Sequence, residues 1–232
     1  MQKIAIMGAM PEEVAPILEK LGSYKTTEYA GNKYYEASYN GIEVVVAYSK
    51  IGKVFSTLTA TTMIEHFGCD RLLFSGVAGA VSPELKVGDL VVATKLSQHD
   101  LDITAFGHPY GFVPEGAVFV EADKDMIELS KKVASKMGKS VKEGIIATGD
   151  QFVANEERKN WILETFDASA LEMEGGSVAV VCNALNVPFF ILRSISDAAD
   201  MDASFSFDEF LESSAIISAE FVMNMVDEII KN

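Results

Sequence analysis

The sequence is poor in the residues that mark nucleic-acid binding, disulfide frameworks and zinc sites. Only three of its 19 basic residues are arginines (Arg71, Arg158 and Arg193), and its 34 acidic residues give a formal charge of -15. Such a chain repels a phosphate backbone, so nucleic acid is not expected as a partner. Its two cysteines, Cys69 and Cys182, lie far apart in apolar stretches without Cys-x-x-Cys spacing, and we expect both to be reduced core residues.

Long apolar runs are also missing. No stretch approaches the roughly 20 apolar residues that cross a bilayer, so no membrane span is expected. The first residues, MQKIAIMGAM, contain one lysine, a short apolar run and no small-residue cleavage site. They therefore predict a first strand and not a signal peptide, and we expect a cytoplasmic protein.

The composition that is present is globular, with 49% hydrophobic and 23% charged residues. The length of 232 residues suits one α/β domain, and no break in composition suggests a linker, so residues 1–232 are predicted to form a single domain. Short β-branched runs alternate with helical patterns, which indicates a largely buried sheet. The predicted strands are Lys3 to Met7, Tyr34 to Tyr39, Glu43 to Ser49, Arg71 to Gly76, Asp89 to Thr94, Glu143 to Thr148, Ala168 to Met173 and Phe189 to Ser196.

Local signals place several turns and helices. Asn40-Gly41 predicts a hairpin between its two flanking strands. Pro11, followed by two glutamates, marks a helix that runs to about Leu21. A second predicted helix spans Gly52 to Phe67, with Val54, Leu58, Thr61 and Ile64 on one apolar face. A third begins after a cap at Asn155, and a fourth spans Phe207 to Ile230.

In one stretch, Gln98 to Gly116, the apolar residues show no helical or strand periodicity, which predicts a long loop. It mixes aromatic residues with prolines and glycines and carries two of the three histidines. Loops of this length within a compact domain are commonly functional or form interfaces.

Open α/β sheets bind their ligands just beyond the carboxyl ends of the strands. Four polar clusters follow predicted strands in this sequence: GAMPEE, SGVAG, EMEGG and RSISDAAD. Each has two interpretations. Glu12 and Glu13 could complement a helix dipole or do chemistry, and SGVAG could cradle an anion or form a tight turn. Glu172 and Glu174 would face one way if their strand continued, as a carboxylate pair for a polyhydroxylated ligand, but Glu174 could instead cap a helix. Asp197 is either a helix cap or a positioned acid.

Several common sites are not seen. The chain lacks the P-loop, the G-x-G-x-x-G dinucleotide motif and a G-x-S-x-G elbow. Its histidines, His66, His99 and His108, have no partners at metal-ligand spacing. We therefore expect neither a metal nor a nucleotide cofactor.

The motifs GAMPEE, KIGK, SGVAG, KVGDLVV, TGDQFV, ALEMEG, RSISDAAD and SFDEF occur in this order over nearly the whole chain. In that order they resemble the methylthioadenosine/S-adenosylhomocysteine nucleosidases of the nucleoside phosphorylase superfamily. The resemblance implies an α/β fold with a central mixed sheet flanked by helices. It also implies hydrolysis of the N-glycosidic bond of adenine nucleosides modified at the 5′ carbon, without a cofactor.

The resemblance further implies roles for individual residues. Glu13 would activate the water, Glu174 would bind the ribose hydroxyls and Asp197 would serve the purine N7. Arg193 would lie near the water. The remaining residues implied at the substrate are Met10, Ile51 and Phe207 at the sugar and 5′ group, Met173 beside the sugar, Ala78, Gly79, Phe152 and Val153 at the purine, and Val77, Glu172 and Ser196. Val77 is a departure, because many relatives have serine there and place its hydroxyl close to the water.

The family also implies a homodimer in which loop 98–114 completes the neighbouring 5′ pocket, with Phe106 and Pro114 as candidate residues. YSKIGKV, FSGVAG and GDQFV look closest to the subgroup that also cleaves 6-amino-6-deoxyfutalosine in an alternative menaquinone pathway. Two alternatives are a purine nucleoside phosphorylase and a nucleoside-binding module without turnover. Phosphorylases carry an arginine where this chain has Pro11-Glu12-Glu13, and a carboxylate there would repel phosphate. A binding module would not need Glu13.

Overall fold

The structure, a computed structural model, describes residues 2–199 and 203–231, without the side chain of Phe205. Its core is a sheet of parallel and antiparallel strands, as predicted. The strands are β1 (Lys3–Gly8), β2 (Lys25–Tyr29), β3 (Asn32–Tyr39), β4 (Ile42–Tyr48), β5 (Arg71–Ala80), β6 (Leu90–Gln98), β7 (Val120–Glu121), β8 (Val141–Thr148), β9 (Ala168–Glu172) and β10 (Phe189–Asp197).

The sheet has an open half and a curled half that share β5. In the open half, β1 lies parallel between β5 and β4, and the antiparallel strands β3 and β2 follow. In the curled half, β5 pairs with both β9 and β10, and the path β10, β6, β8, β9 returns to it. Because β1, β5 and β10 are parallel, their carboxyl ends meet at one edge of the sheet.

Helices cover the sheet and bury its apolar side chains. They are α1 (Pro11–Leu21), α2 (Lys53–Thr61), α3 (Lys124–Lys136), α4 (Glu156–Phe166), α5 (Gly175–Ala184) and α6 (Ala203–Ile230). The long helix α6 packs on β5 and β10 and against α1. Within the described ranges, no helix combines the length and the apolar character that a membrane crossing needs.

Local signals predicted several boundaries correctly. Asn40 and Gly41 have φ angles of 49° and 87° and connect β3 to β4 with Tyr39 opposite Ile42, as a two-residue hairpin turn requires. Helix α1 begins at Pro11, and the Asn155 side chain accepts the N–H of Arg158 at the start of α4.

Other sequence predictions differ from the structure. The SGVAG segment is not a turn, because it lies inside β5. The helix predicted over Gly52 to Phe67 is present, but α2 ends at Thr61 and the last turn, Thr62–His66, is π-helical. The predicted apolar face of α2 is not its buried face, since Val54 is 76% and Leu58 43% exposed.

The sequence did not predict strands β2 and β7, helix α3 or the short 3-10 helix Thr104–Phe106. Strand β2 is a mostly exposed edge strand of polar composition, and β7 contains two residues, so neither carries the apolar alternation of a buried strand. Helix α3 does have a helical pattern in the sequence, with Asp123 as its cap and Met126, Ile127 and Val133 among its buried residues.

Candidate active site

A pocket opens where the carboxyl ends of β1, β5, β9 and β10 converge. Most of the residues expected at the substrate line it: Met10, Glu13, Ile51, Val77, Ala78, Gly79, Phe152, Val153, Glu172, Met173, Glu174, Ser196, Asp197 and Phe207. Sequence reasoning missed three lining residues, Ala9, Gln151 and Leu171, although each lies inside a quoted motif.

Glu13 is buried beneath the pocket at the start of α1. Its Oε2 accepts the N–H groups of Ala9 and Met10, and its Oε1 accepts the N–H of Val77 at 3.0 Å. The carboxylate thus satisfies donors at the helix start and also faces the pocket. Burial raises the pKa of Glu13, while Arg193 and the three N–H donors oppose that rise. A raised pKa suits a carboxylate that must accept a proton.

Arg193, on β10, does not line the pocket but lies buried behind it. Its Nη2 donates to Glu172, lies 3.8 Å from Oε2 of Glu174, and its guanidinium stacks 4.2 Å from the Phe74 ring centre. Within the described residues, Nη1 and Nε have no hydrogen-bond partner. A buried donor without an acceptor is costly, so this side of the guanidinium is poised to bind one.

Gly76 allows Arg193 and Glu13 to approach each other. A Cβ at residue 76 would lie 2.0 Å from Nη1 of Arg193 and 2.8 Å from Oε1 of Glu13. Both atoms therefore converge on the space that the missing side chain leaves. The position requires glycine for close approach and not for an unusual φ.

The two glutamates of the EMEGG motif have different surroundings, because β9 ends at Glu172 and alternation does not continue to Glu174. Glu172 accepts from Thr148 and Arg193 and from the N–H groups of Glu174 and Gly175. These contacts hold Glu172 as a buried anchor at the pocket wall.

Glu174 precedes α5 but does not cap it with its side chain. Instead, its Oε1 accepts the N–H of Gly52 at 2.9 Å from another segment. Burial, followed by the charge of Glu172, raises the pKa of Glu174 to about 8, although Arg193 and Gly52 oppose the rise. The capping interpretation of Glu174 was therefore wrong.

Asp197 ends β10 and lines the pocket. Its Oδ1 accepts the N–H of Ala199 at 2.9 Å, and its Oδ2 accepts the Ser196 hydroxyl at 2.9 Å. Asp197 belongs to β10, and Ala198 and Ala199 after it are not helical, so Asp197 is not a helix cap residue. Asp200 of the same motif lies outside the described residues. The cap interpretation of Asp197 is thus not supported.

The pocket mouth is apolar. Ile51 and Phe152 are 53% and 49% exposed, and Phe152 meets Phe207 edge-on with ring centres 5.8 Å apart. Phe106, which is 81% exposed, and Pro114, which is also exposed, do not line the pocket of their own chain.

Comparison with known proteins places the chain in a family. Residues 3–231 match the model of the phosphorylase superfamily. The aminodeoxyfutalosine nucleosidase of Campylobacter jejuni is 56% identical over 229 residues, which are 99% of this chain and 100% of the relative. The 5′-methylthioadenosine/S-adenosylhomocysteine nucleosidase of Anoxybacillus flavithermus is 39% identical over 98% of this chain and 99% of the relative.

A solved structure agrees with this. The 5′-methylthioadenosine/S-adenosylhomocysteine nucleosidase from Helicobacter pylori, crystallised with butyl-thio-DADMe-Immucillin-A, is 54% identical and superposes with a TM-score of 0.97 over 98% of this chain and 99% of that one. The chain therefore belongs to the phosphorylase superfamily. The resemblance to the nucleosidases of that superfamily, which are N-ribosyl hydrolases, is confirmed.

Proposed function

We propose that this enzyme hydrolyses the N-glycosidic bond of 5′-modified adenine nucleosides, releasing adenine and the modified ribose. Its proposed substrates are methylthioadenosine, S-adenosylhomocysteine, 5′-deoxyadenosine and 6-amino-6-deoxyfutalosine. The observation that carries the proposal is that three buried carboxyl groups, those of Glu13, Glu174 and Asp197, line one pocket together with the residues that the motifs assign to the purine and the sugar. The proposed place of action is the cytoplasm, in methionine salvage or menaquinone synthesis.

Adenine is a poor leaving group because the departing nitrogen carries charge, so the enzyme must neutralise the base as the bond breaks. Asp197 donates a proton to N7 while the electrons of the C1′–N9 bond pass to the purine. The purine lies between Phe152, Val153 and the strand residues Ala78 and Gly79. Gly79 suits this task because a Cβ there would lie 2.8 Å from Oδ1 of Asp197.

Water attacks C1′ as the bond breaks, and Glu13 accepts its proton. The logic parallels glycoside hydrolysis, in which one carboxyl group assists departure and another handles water at a cationic sugar carbon. The unpartnered Nη1 of Arg193 and Oε1 of Glu13 converge beside Gly76 and support this water site. Arg193 and Glu13 thereby compensate for the hydroxyl group that a serine at position 77 would place near the water.

Glu174 binds the ribose hydroxyls, with Met173 packed beside the sugar. Its Oε1 is already held by the Gly52 N–H, which sets the plane of the carboxyl group before substrate enters. Glu172 keeps Arg193 ionised and in position. Met10, Ile51 and Phe207 form the apolar 5′ region.

The working form is a homodimer in which loop 98–114 of one subunit completes the 5′ pocket of the other. Phe106 and Pro114 are exposed and do not line their own pocket, which supports a role in a second copy. Helix α2 also leaves Val54, Phe55 and Leu58 exposed next to the pocket residue Ile51. Such a patch is typical of an interface.

The test is adenine release with and without phosphate. Hydrolysis predicts adenine and free ribose product at equal rates in both conditions. A phosphorylase would need phosphate and yield a ribose 1-phosphate, and a binding module would release nothing. A steady-state panel of the four nucleosides then ranks the substrates.

A further inference from the structure

A ring of hydrogen bonds lies behind Glu174, outside the lining of the pocket. Gly52 gives its N–H to Glu174, and the next residue, Lys53, gives its N–H to Oδ1 of Asp150 at 2.8 Å. Two consecutive N–H groups at the start of α2 thus donate to two different carboxylates, those of Glu174 and Asp150. The carboxylate of Asp150 belongs to the segment that continues to Phe152 and Val153, the residues assigned to the purine.

The ring closes through Asp100. Its Oδ2 accepts the N–H of Asp150 at 2.8 Å, and its Oδ1 accepts the Nζ of Lys53 at 2.7 Å. The side chains of Lys53 and Asp100 are only 18% and 15% exposed, so solvent screens this ion pair incompletely. Three separate segments are therefore tied together at the start of α2.

Gly52 is fitted to this arrangement. Its φ of +103° lies in the region that favours glycine, and a Cβ there would lie 3.0 Å from Oδ1 of Asp150. A side chain at residue 52 would therefore crowd the Asp150 oxygen that accepts the Lys53 N–H. The direction of the Gly52 N–H depends on where Asp150 holds the first turn of α2.

We propose that Asp150 and Asp100 are positioning residues, which fix the start of α2 so that the Gly52 N–H orients Glu174 for ribose binding. Neither touches the reacting atoms. This proposal rests on the proposed function, because it assigns Glu174 to the ribose hydroxyls. The ring also connects Lys53, which follows the sugar-side residues Ile51 and Gly52, with Asp150, which precedes the purine-side residue Phe152.

The test measures discrimination between a nucleoside with ribose hydroxyls and one without them. We would titrate a 5′-methylthio C-nucleoside of adenine, which cannot be hydrolysed, and its 2′,3′-dideoxy counterpart against the wild type and Asp150→Ala. The variant should lose roughly 3- to 10-fold in affinity for the hydroxylated ligand, the scale of one hydrogen bond, and much less for the dideoxy ligand. Asp150→Asn keeps the acceptor oxygen and should recover most of the loss.

The matched control is Asp70→Ala. Asp70 also accepts a backbone N–H from another segment, that of Lys3, and pairs with a cation, Arg71, but it lies at the opposite end of the sheet. This control should leave the ratio of the two affinities unchanged. Combining Asp150→Ala with Glu174→Gln should cost less than the product of the separate losses, because both act through one carboxyl group.

Equal losses for both ligands, or losses that multiply in the double variant, would overturn the positioning role. Melting temperatures identify any variant that fails to fold, and Asp100→Ala, which removes the acceptor of the Asp150 N–H and of the Lys53 Nζ, then carries the test with the same expected loss. Adenine release by the wild type is measured separately. A wild type that binds both nucleosides but releases no adenine would refute the proposed function and leave the positioning result standing.

Discussion

Val77, in the middle of β5, donates its backbone N–H to Oε1 of Glu13 over 3.0 Å. A strand residue therefore orients the carboxyl group of Glu13, which lies in the first turn of α1. The two residues are 64 positions apart in the sequence. This bond holds one oxygen of Glu13 beside the pocket residue Val77, while the N–H groups of Ala9 and Met10 donate to the other. A residue at a helix start thereby becomes available for chemistry.

Glu13→Gln should abolish most turnover and preserve inhibitor binding. Glutamine cannot accept the water proton, so kcat should fall by about 10²-fold or more. Its one oxygen can serve the N–H groups of Ala9 and Met10, while its NH2 group then faces the N–H of Val77, so some stability should be lost as well. The control is Glu12→Gln, its exposed neighbour, which should be close to wild type. Near-normal turnover by Glu13→Gln, with every active site titrated, would remove Glu13 from the role of base.

Glu174 should make the stability depend on pH. Its raised pKa, about 8 against an ordinary value near 4.5, means that the folded protein keeps a proton that the unfolded chain has released between those pH values. The stabilisation is therefore fully present below about pH 4.5 and declines as pH rises to 8. Glutamine does not titrate, so the melting temperature of Glu174→Gln relative to the wild type should increase from pH 5 to pH 8.

That comparison includes the groups around Glu174, which are Glu172, Arg193 and Glu13. These groups remain in both proteins, which differ only at residue 174. A difference that stayed constant or shrank with rising pH would mean that Glu174 is ionised in the folded protein throughout.

Asp197→Asn should stop adenine release while the fold survives. The Asn oxygen still accepts the Ala199 N–H, and its amide donates to the Ser196 hydroxyl, so the melting temperature should stay close to that of the wild type. A p-nitrophenyl riboside releases nitrophenolate without N7 protonation, so Asp197→Asn should hydrolyse it at a rate much closer to that of the wild type. Equal loss with both substrates, or a melting temperature low enough to explain the inactivity, would return Asp197 to a structural role.

Gly76→Ala should damage both stability and activity. The added methyl group would meet Nη1 of Arg193 and Oε1 of Glu13, which are buried and cannot move away freely, at a cost of about 1–3 kcal/mol in unfolding free energy. Gly116→Ala is the control, because its Cβ would come no closer than 3.3 Å to another atom. Chemical denaturation and kcat/KM measure the two effects. A fully stable and active Gly76→Ala would show that Arg193 has more freedom than its packing indicates.

Phe106 should act in the neighbouring subunit. Phe106→Ala should raise KM for methylthioadenosine without lowering the melting temperature, since the side chain is exposed in its own chain. Subunits carrying Phe106→Ala and subunits carrying Glu13→Gln should complement each other, because a mixed dimer has one complete site. Re-association at equal amounts should restore about a quarter of the wild-type sites. No recovery after mixing, or a fully active monomer in sedimentation, would contradict the shared site.

Much of this protein follows from local chemistry that a sequence carries by itself. Asn40-Gly41 sets a hairpin, Pro11 starts a helix and Asn155 caps one, because each acts on backbone groups within a few residues. The motifs also identified most of the pocket lining, since they lie where strands end. The apolar pattern of residues 71–80 did not reveal that SGVAG continues the strand, because its small residues carry no alternation.

The tertiary structure decided what each carboxyl group contacts. Glu13, Glu172 and Glu174 are alike in sequence, but one faces Val77, one binds Arg193 and one accepts from Gly52. These partners come from strands and helices far away in the chain, so no local pattern encodes them. Burial then raises the pKa of Glu13 and Glu174, which depends on how much water the surrounding elements exclude and not on the residue type.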